Sequence, residues 1–174
     1  MFSCYSIEQV RFPSLNLIGK AGDKKMTIYK HILVAIDLHP VCDELILKRA
    51  HELAKMNHAA LSAIHAVEHI NAYGVAQAYP AVIDLEGEMQ AEAKKQLAQL
   101  CKKFSIPAEN QFIEVGSPKV VILDKLKQLK SDLLIIGSHG RHGIGILFGS
   151  TASAVIHHLS CDALVVKIPD HKVL

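Results

Sequence analysis

Leu133–Lys167, LLIIGSHGRHGIGILFGSTASAVIHHLSCDALVVK, decides how the chain folds. It opens with a short apolar run, Leu133 to Ile136, of the kind that a strand buried on both faces requires. Glycines follow at 137, 140, 143, 145 and 149, and Ser150, Thr151 and Ser153 then lead into an apolar, helix-compatible segment. Ala163 to Ile168 reads as another buried strand. No acid occurs between Leu133 and Cys161, while His139, Arg141 and His142 sit among the glycines. A strand, an acid-free glycine loop and a hydroxyl-rich helix start suit an anion, most plausibly a phosphate. Backbone N–H groups approach it closely, and the helix start adds partial positive charge. The plainer reading is a turn followed by Ser150 as an N-cap.

Working outward, His31 to Ile36 (HILVAI) is a buried-strand run ended by Asp37-Leu-His-Pro40. Asp43 and Glu44 suit a first helical turn. Ile46, Ala50, Leu53 and Ala54 then repeat at helical spacing up to a stop near Asn57. Leu61 to Val67 is a second strand, and Glu68 to Pro80 reads as loop. A long helix follows, with Leu85, Met89, Ala93, Leu97, Leu100 and Phe104 as one apolar stripe that ends before Pro107. Gln111 to Val115 is the third strand. Ser117 caps a helix that begins with Pro118 and turns Ile122, Leu126 and Leu129 inward. Five strands alternating with four helices demand right-handed crossovers. The expected fold is therefore α/β, a single doubly wound five-stranded parallel sheet with helices on both faces. Ligands in such folds sit beyond the carboxyl ends of the strands, where strand order reverses; Asp37 and Gly137 end two of these strands.

At 174 residues there is room for one domain with a sizeable core. Residues 1–25, without sustained periodicity and ending in a polar run, are expected to be a disordered or loosely attached extension, with the domain at 26–170. A net charge of +2 with scattered Lys and Arg argues against a nucleic-acid partner. No apolar run approaches a membrane span, and the first residues lack the features of a signal peptide. Cys4, Cys42, Cys101 and Cys161 are far apart, which favours free thiols in a reducing compartment. A soluble cytoplasmic domain is expected. The eleven histidines show no ligand spacing backed by Cys or carboxylate, so no metal is expected. His65 and His69 lie on a strand running into a loop, where a separation of four does not converge. The P-loop consensus is absent, and neither a dinucleotide fingerprint nor a receiver-domain aspartate is in place. Ser150 has no base or acid partner for nucleophilic catalysis.

The segments YKHILVAID, EVGSP and DLLIIGSHGR running on to GSTASAVIHHLSCDALVVK resemble the universal stress protein family, from Lys30 to Ile168, about four-fifths of the chain. The resemblance implies strand order 3-2-1-4-5, a small cytoplasmic protein and usually a homodimer. One branch of the family binds ATP or AMP through G-x-x-G, nine residues, then G-S or G-T. Carried over by position, Gly137 and Gly140 would approach the ribose and phosphates, while Gly149 and Ser150, with Thr151 next in the helix, would hold the phosphates. Asp37 would lie by the ribose or adenine and Ala66 in the adenine wall; Arg141 is available as a charge-assisted donor. Two departures stand out. Eight residues, not nine, separate Gly140 from Gly149, and His39 stands where the family commonly has Ser.

The leading expectation is a non-enzymatic, stress-responsive adenine-nucleotide binder. Its alternative is a dimeric scaffold of the same fold without nucleotide. A slow ATP-hydrolysing enzyme ranks last, because no residue is placed to activate water. The strand around Ala163–Ile168, at a sheet edge and strongly β-forming, is the expected homodimer surface.

Overall fold

The computed structural model describes residues 10–11, 29–69, 79–139 and 149–168. Its strands are β1 (Val10–Arg11), β2 (His31–Ala35), β3 (Ala60–Val67), β4 (Gln111–Val115), β5 (Leu133–His139) and β6 (Asp162–Ile168). The helices are α1 (Pro40–Asn57), α2 (Tyr79–Lys103), α3 (Pro118–Leu129) and α4 (Ser150–Ile156), with a short 3-10 turn at Ala108–Asn110. Strand order is β1-β6-β5-β2-β3-β4. Counting from His31–Ala35, the five parallel strands run 3-2-1-4-5, as the resemblance implies.

The apolar runs form central strands because both of their faces are covered. Ile32 and Val34 of β2, with Leu133 and Ile135 of β5, pack under α1 and α2 against Ile46, Leu47 and Leu97. Leu33 and Ala35, with Leu134 and Ile136, point the other way onto Ile122 and Leu126 of α3 and Ala152 and Val155 of α4. Successive side chains alternate between the two cores, the period of two that a pleated strand imposes.

Polar clamps hold the amino ends of the strands. The Asp132 carboxylate accepts the backbone N–H groups of Lys30 (2.8 Å) and His31 (3.1 Å). The His31 ring bridges β2 to its neighbours: Nδ1–H donates to the Leu129 carbonyl (3.2 Å), so Nε2 accepts from the buried Ser62 hydroxyl (2.8 Å). Tyr29 donates its hydroxyl to Asp162 at 3.2 Å, and burial, reinforced by that carboxylate, pushes the phenol up to about 12. The amino ends are thus fastened by side chains.

Four local expectations need correcting. Helix α2 begins at Tyr79, so Pro80 lies in its first turn, where a missing N–H costs nothing, rather than in a loop. Leu85 and Met89, expected in the apolar stripe, are 48% and 42% exposed. Twenty-five residues span about 37 Å, well beyond the five-residue β4 that α2 packs on, so the first turns of its apolar face overshoot the sheet. The N-cap of α4 is Gly149, with Ser150 already the first helical residue. Ser117 does cap α3 by position, but its side chain makes no capping hydrogen bond.

The extension also contributes structure. Val10–Arg11 pairs antiparallel with β6, Val10 opposite Leu164 and Arg11 opposite Ala163. Residues 1–9 and 12–28 lie outside the described residues.

Candidate functional site

Strand order reverses between β2 and β5, since the chain leaves β2 for β3 on one side and β5 for β6 on the other. The crevice beyond their carboxyl ends is where this architecture places ligands. A narrow cleft opens there, walled by Asp37 after β2, His65 and Ala66 of β3, Gly137 of β5, Pro118 of α3 and Thr151 of α4. Residues scattered over 115 positions of sequence thus converge, among them four of the eight expected site residues: Asp37, Ala66, Gly137 and Thr151. Gly149 and Ser150 immediately precede Thr151 at the start of α4. Gly140 and Arg141, like His142, Gly143 and Gly145, lie outside the described residues.

A larger hollow of about 780 Å³ lies at the opposite end of the sheet, where α1 and α2 finish, lined by Met56, His58, Phe104 and Asn110 among others. It is broad and open, and its described lining comes from the amino ends of β3 and β4 and the carboxyl ends of α1 and α2. The smaller cleft is the better candidate because it stands at the reversal point, where loops from several strands meet.

The turn between β2 and α1 is built with care. His65 Nδ1–H donates to the Ile36 carbonyl at 2.9 Å, and the Ile36 N–H donates to the Ile64 carbonyl at 3.1 Å, which together fix the end of β2 against β3. Leu38 then takes a left-handed conformation (φ 61°), unfavourable by about 1–2 kcal/mol for a residue with a branched side chain. Beneath it, Asp43 is 1% exposed. Its Oδ1 accepts the backbone N–H of Asp37 at 3.3 Å, while among the described residues its Oδ2 meets no hydrogen-bond partner of good geometry; the backbone of His39 adds a weaker favourable interaction with the carboxylate. Burial, the largest effect, pushes this carboxyl up to about 6; the N–H of Asp37 acts against that rise without cancelling it. The neighbouring Cys42 thiol is pushed up as well, first by burial and then by Asp43. Asp43 therefore anchors the turn that presents Asp37, whose own side chain is exposed.

The two described glycines of the site differ in kind. A Cβ on Gly137 would fall 2.6 Å from Ile46 Cδ1 and 2.8 Å from Ile168 Cδ1, so a side chain there requires the buried ends of both isoleucines to move, and the packing between α1 and β6 favours a glycine. Gly149 is the opposite case. Its φ of −60° and ψ of 161° suit any residue, and a Cβ there would meet none of the described residues within 4 Å. Nothing in the described fold requires Gly149.

Asp43, His65 and Pro118 are parts of the site that the sequence did not single out for it. For Asp43 the signal was present: it lies three and four residues before Ile46 and Leu47, on the buried stripe of α1. Among the described residues no three His, Cys, Asp or Glu side chains gather in a way that could hold a metal ion. Among those residues, too, no helix is long and apolar enough to cross a membrane.

Comparison with known proteins agrees with this geometry. The model of the universal stress protein family matches residues 28–167. Universal stress protein A homolog 2 of Coxiella burnetii is 43% identical over 143 residues, 82% of this chain and 98% of the other. The structure of universal stress protein UspA from Lactobacillus plantarum superposes with a TM-score of 0.63 at 29% identity, over 79% of this chain and 97% of that one. The universal stress protein of Archaeoglobus fulgidus, solved in complex with dAMP, shares the fold at a TM-score of 0.54 and 21% identity, over 80% and 99% of the two chains. With the family model spanning all five parallel strands and the crevice between them, the chain belongs to the universal stress protein family.

Proposed function

We propose that the protein is a non-enzymatic, cytoplasmic stress-response regulator that binds an adenine nucleotide, ATP or AMP, in the cleft between β2, β3 and β5. The carrying observation is the convergence of Asp37, Ala66, Gly137 and Thr151 on one cleft at the reversal point, beside a glycine at 149 that none of the described residues requires. In this reading the adenine lies along Ala66 and Asp37 accepts a hydrogen bond from the ribose. The phosphates pass over Gly149, where the missing side chain leaves the backbone approachable, toward Ser150 and Thr151. His65 and Asp43 are positioning residues: they hold the turn that carries Asp37. Binding of an adenylate by a fold relative supports the choice of ligand. The protein is read as a homodimer, with β6 as the contributing edge.

A second reading, a scaffold of the same fold without nucleotide, is favoured by one observation, the eight-residue spacing between Gly140 and Gly149. The two separate on what the purified protein carries. Denaturing the full-length chain and analysing the supernatant by absorbance and mass spectrometry should release an adenine nucleotide. Protein that releases none, and retains no labelled ATP or AMP in equilibrium dialysis at millimolar ligand, belongs to the scaffold reading.

A further inference from the structure

The outer edge of β6 would be the free edge of the five-stranded parallel sheet, and a free edge is a template for strand addition. Here it is partly taken. Val10–Arg11 lies along it antiparallel, covering the positions of Ala163 and Leu164. Strand β6 continues to Ile168, and among the described residues nothing pairs the outer edge of Val165–Ile168. Leu164 and Val166 on this strand are only half-buried apolar side chains resting on the α1 side of the core.

A second copy of the chain would need the same backbone groups. A two-fold symmetric contact pairs like with like, so two β6 strands meet antiparallel about a central residue. With seven residues available, centring on Val165 engages Ala163 and Leu164 of both copies. Strand β1 runs in the direction that the second copy's β6 would take and occupies two of the seven positions it would use. The two occupants exclude one another.

We propose that Val10–Arg11 is an internal cap on the β6 edge, which restrains association of the protein with a second copy of itself through β6. The described part of the cap covers Ala163 and Leu164, so an incoming β6 must displace β1 from these positions to pair along the whole strand. This inference rests on the homodimer reading above and adds its regulation: the extension, not the domain, sets the concentration at which dimers form.

The test uses the full-length chain and a double variant, Val10→Pro with Arg11→Pro. Proline removes the backbone N–H that a ladder needs. Sedimentation and light scattering over a dilution series should show the variant dimerising about tenfold more tightly or better, the equivalent of one or two backbone hydrogen bonds no longer displaced. Equal dissociation constants, or a weaker dimer in the variant, would overturn the proposal. Hydrogen exchange at the β6 amides, read at a concentration where both proteins are monomeric, locates the failure. Unchanged exchange across Ala163–Val165 would mean that β1 never capped the edge. Faster exchange without tighter association would mean that the cap is real but β6 is not the dimer surface, and the homodimer reading would fall with it.

Discussion

Replacing Asp43 by Asn removes a carboxyl that the fold buries without fully satisfying. The asparagine keeps an oxygen for the Asp37 N–H and the same volume, so the turn should survive. The magnitude follows from proton affinity. Folding raises this carboxyl from its ordinary 3.8 to about 6, which at roughly 1.4 kcal/mol per tenfold is about 3 kcal/mol. Because the folded value is the higher one, the folded state binds the proton more tightly. The resulting stability is fully present below pH 4 and is lost as pH climbs through about 6. In the variant this dependence is absent. The remaining titrating groups, including the histidines, are common to both proteins and cancel in the difference. Urea unfolding should be followed by circular dichroism, since the chain has no tryptophan, at intervals from pH 4 to pH 8. The stability of the variant minus that of the wild type should rise by about 2–3 kcal/mol across that range, since at pH 4 the unfolded carboxyl is already partly ionised. Part of any absolute gain at pH 8 will be offset by the amide N–H₂ left without a partner where Oδ2 stood. Two pH profiles that run parallel would refute the reasoning, because Asp43 would then titrate normally and could not be the strained anchor described.

Gly137→Ala should lower stability by about 1–3 kcal/mol, because Ile46 and Ile168 must both move to admit a methyl group; a melting temperature within a degree of wild type would contradict the packing argument. Lys125 is 8% exposed, 2.7 Å from Glu114 and 4.4 Å from the centre of the Phe112 ring. Since Glu114 is itself 44% exposed and screened, Glu114→Ala should cost only about 1 kcal/mol in urea unfolding, and less in 1 M salt; no loss at low salt would show that the aromatic contact alone holds the lysine.

Much of this architecture was readable because its causes are local. ILVAI (Ile32–Ile36) and LLII alternate between two buried faces and carry no polar residue, and such runs separated by helical periods admit few folds. Pro118 after Ser117 marked a helix start by backbone chemistry alone. The misses have non-local causes. Two residues of β1 carry no period, and their conformation depends on the edge of β6, 152 positions further on. Leu85 and Met89 match a helical stripe, yet what lies opposite them depends on how far the sheet extends. At the site, Asp37, Ala66 and Thr151 were reached through motif position, and the fold brings them to one cleft. Motif position could not separate the two glycines. Gly137 is favoured by Ile46 and Ile168, which are distant in sequence, whereas Gly149 is required by nothing in the described chain.

That contrast supplies the most direct test of the central claim. Gly149→Val places a branched side chain where a Cβ meets none of the described residues within 4 Å. The variant should therefore melt within a few degrees of the wild type, the difference being the ~1 kcal/mol or less that replacing Gly by Val at an N-cap costs. Calorimetric titration of both proteins, stripped of bound nucleotide, with ATP and AMP should show saturable heat for the wild type and at least a tenfold loss of affinity for Gly149→Val. A wild type that gives no heat at millimolar nucleotide, or a variant that binds as tightly as the wild type, would contradict the account.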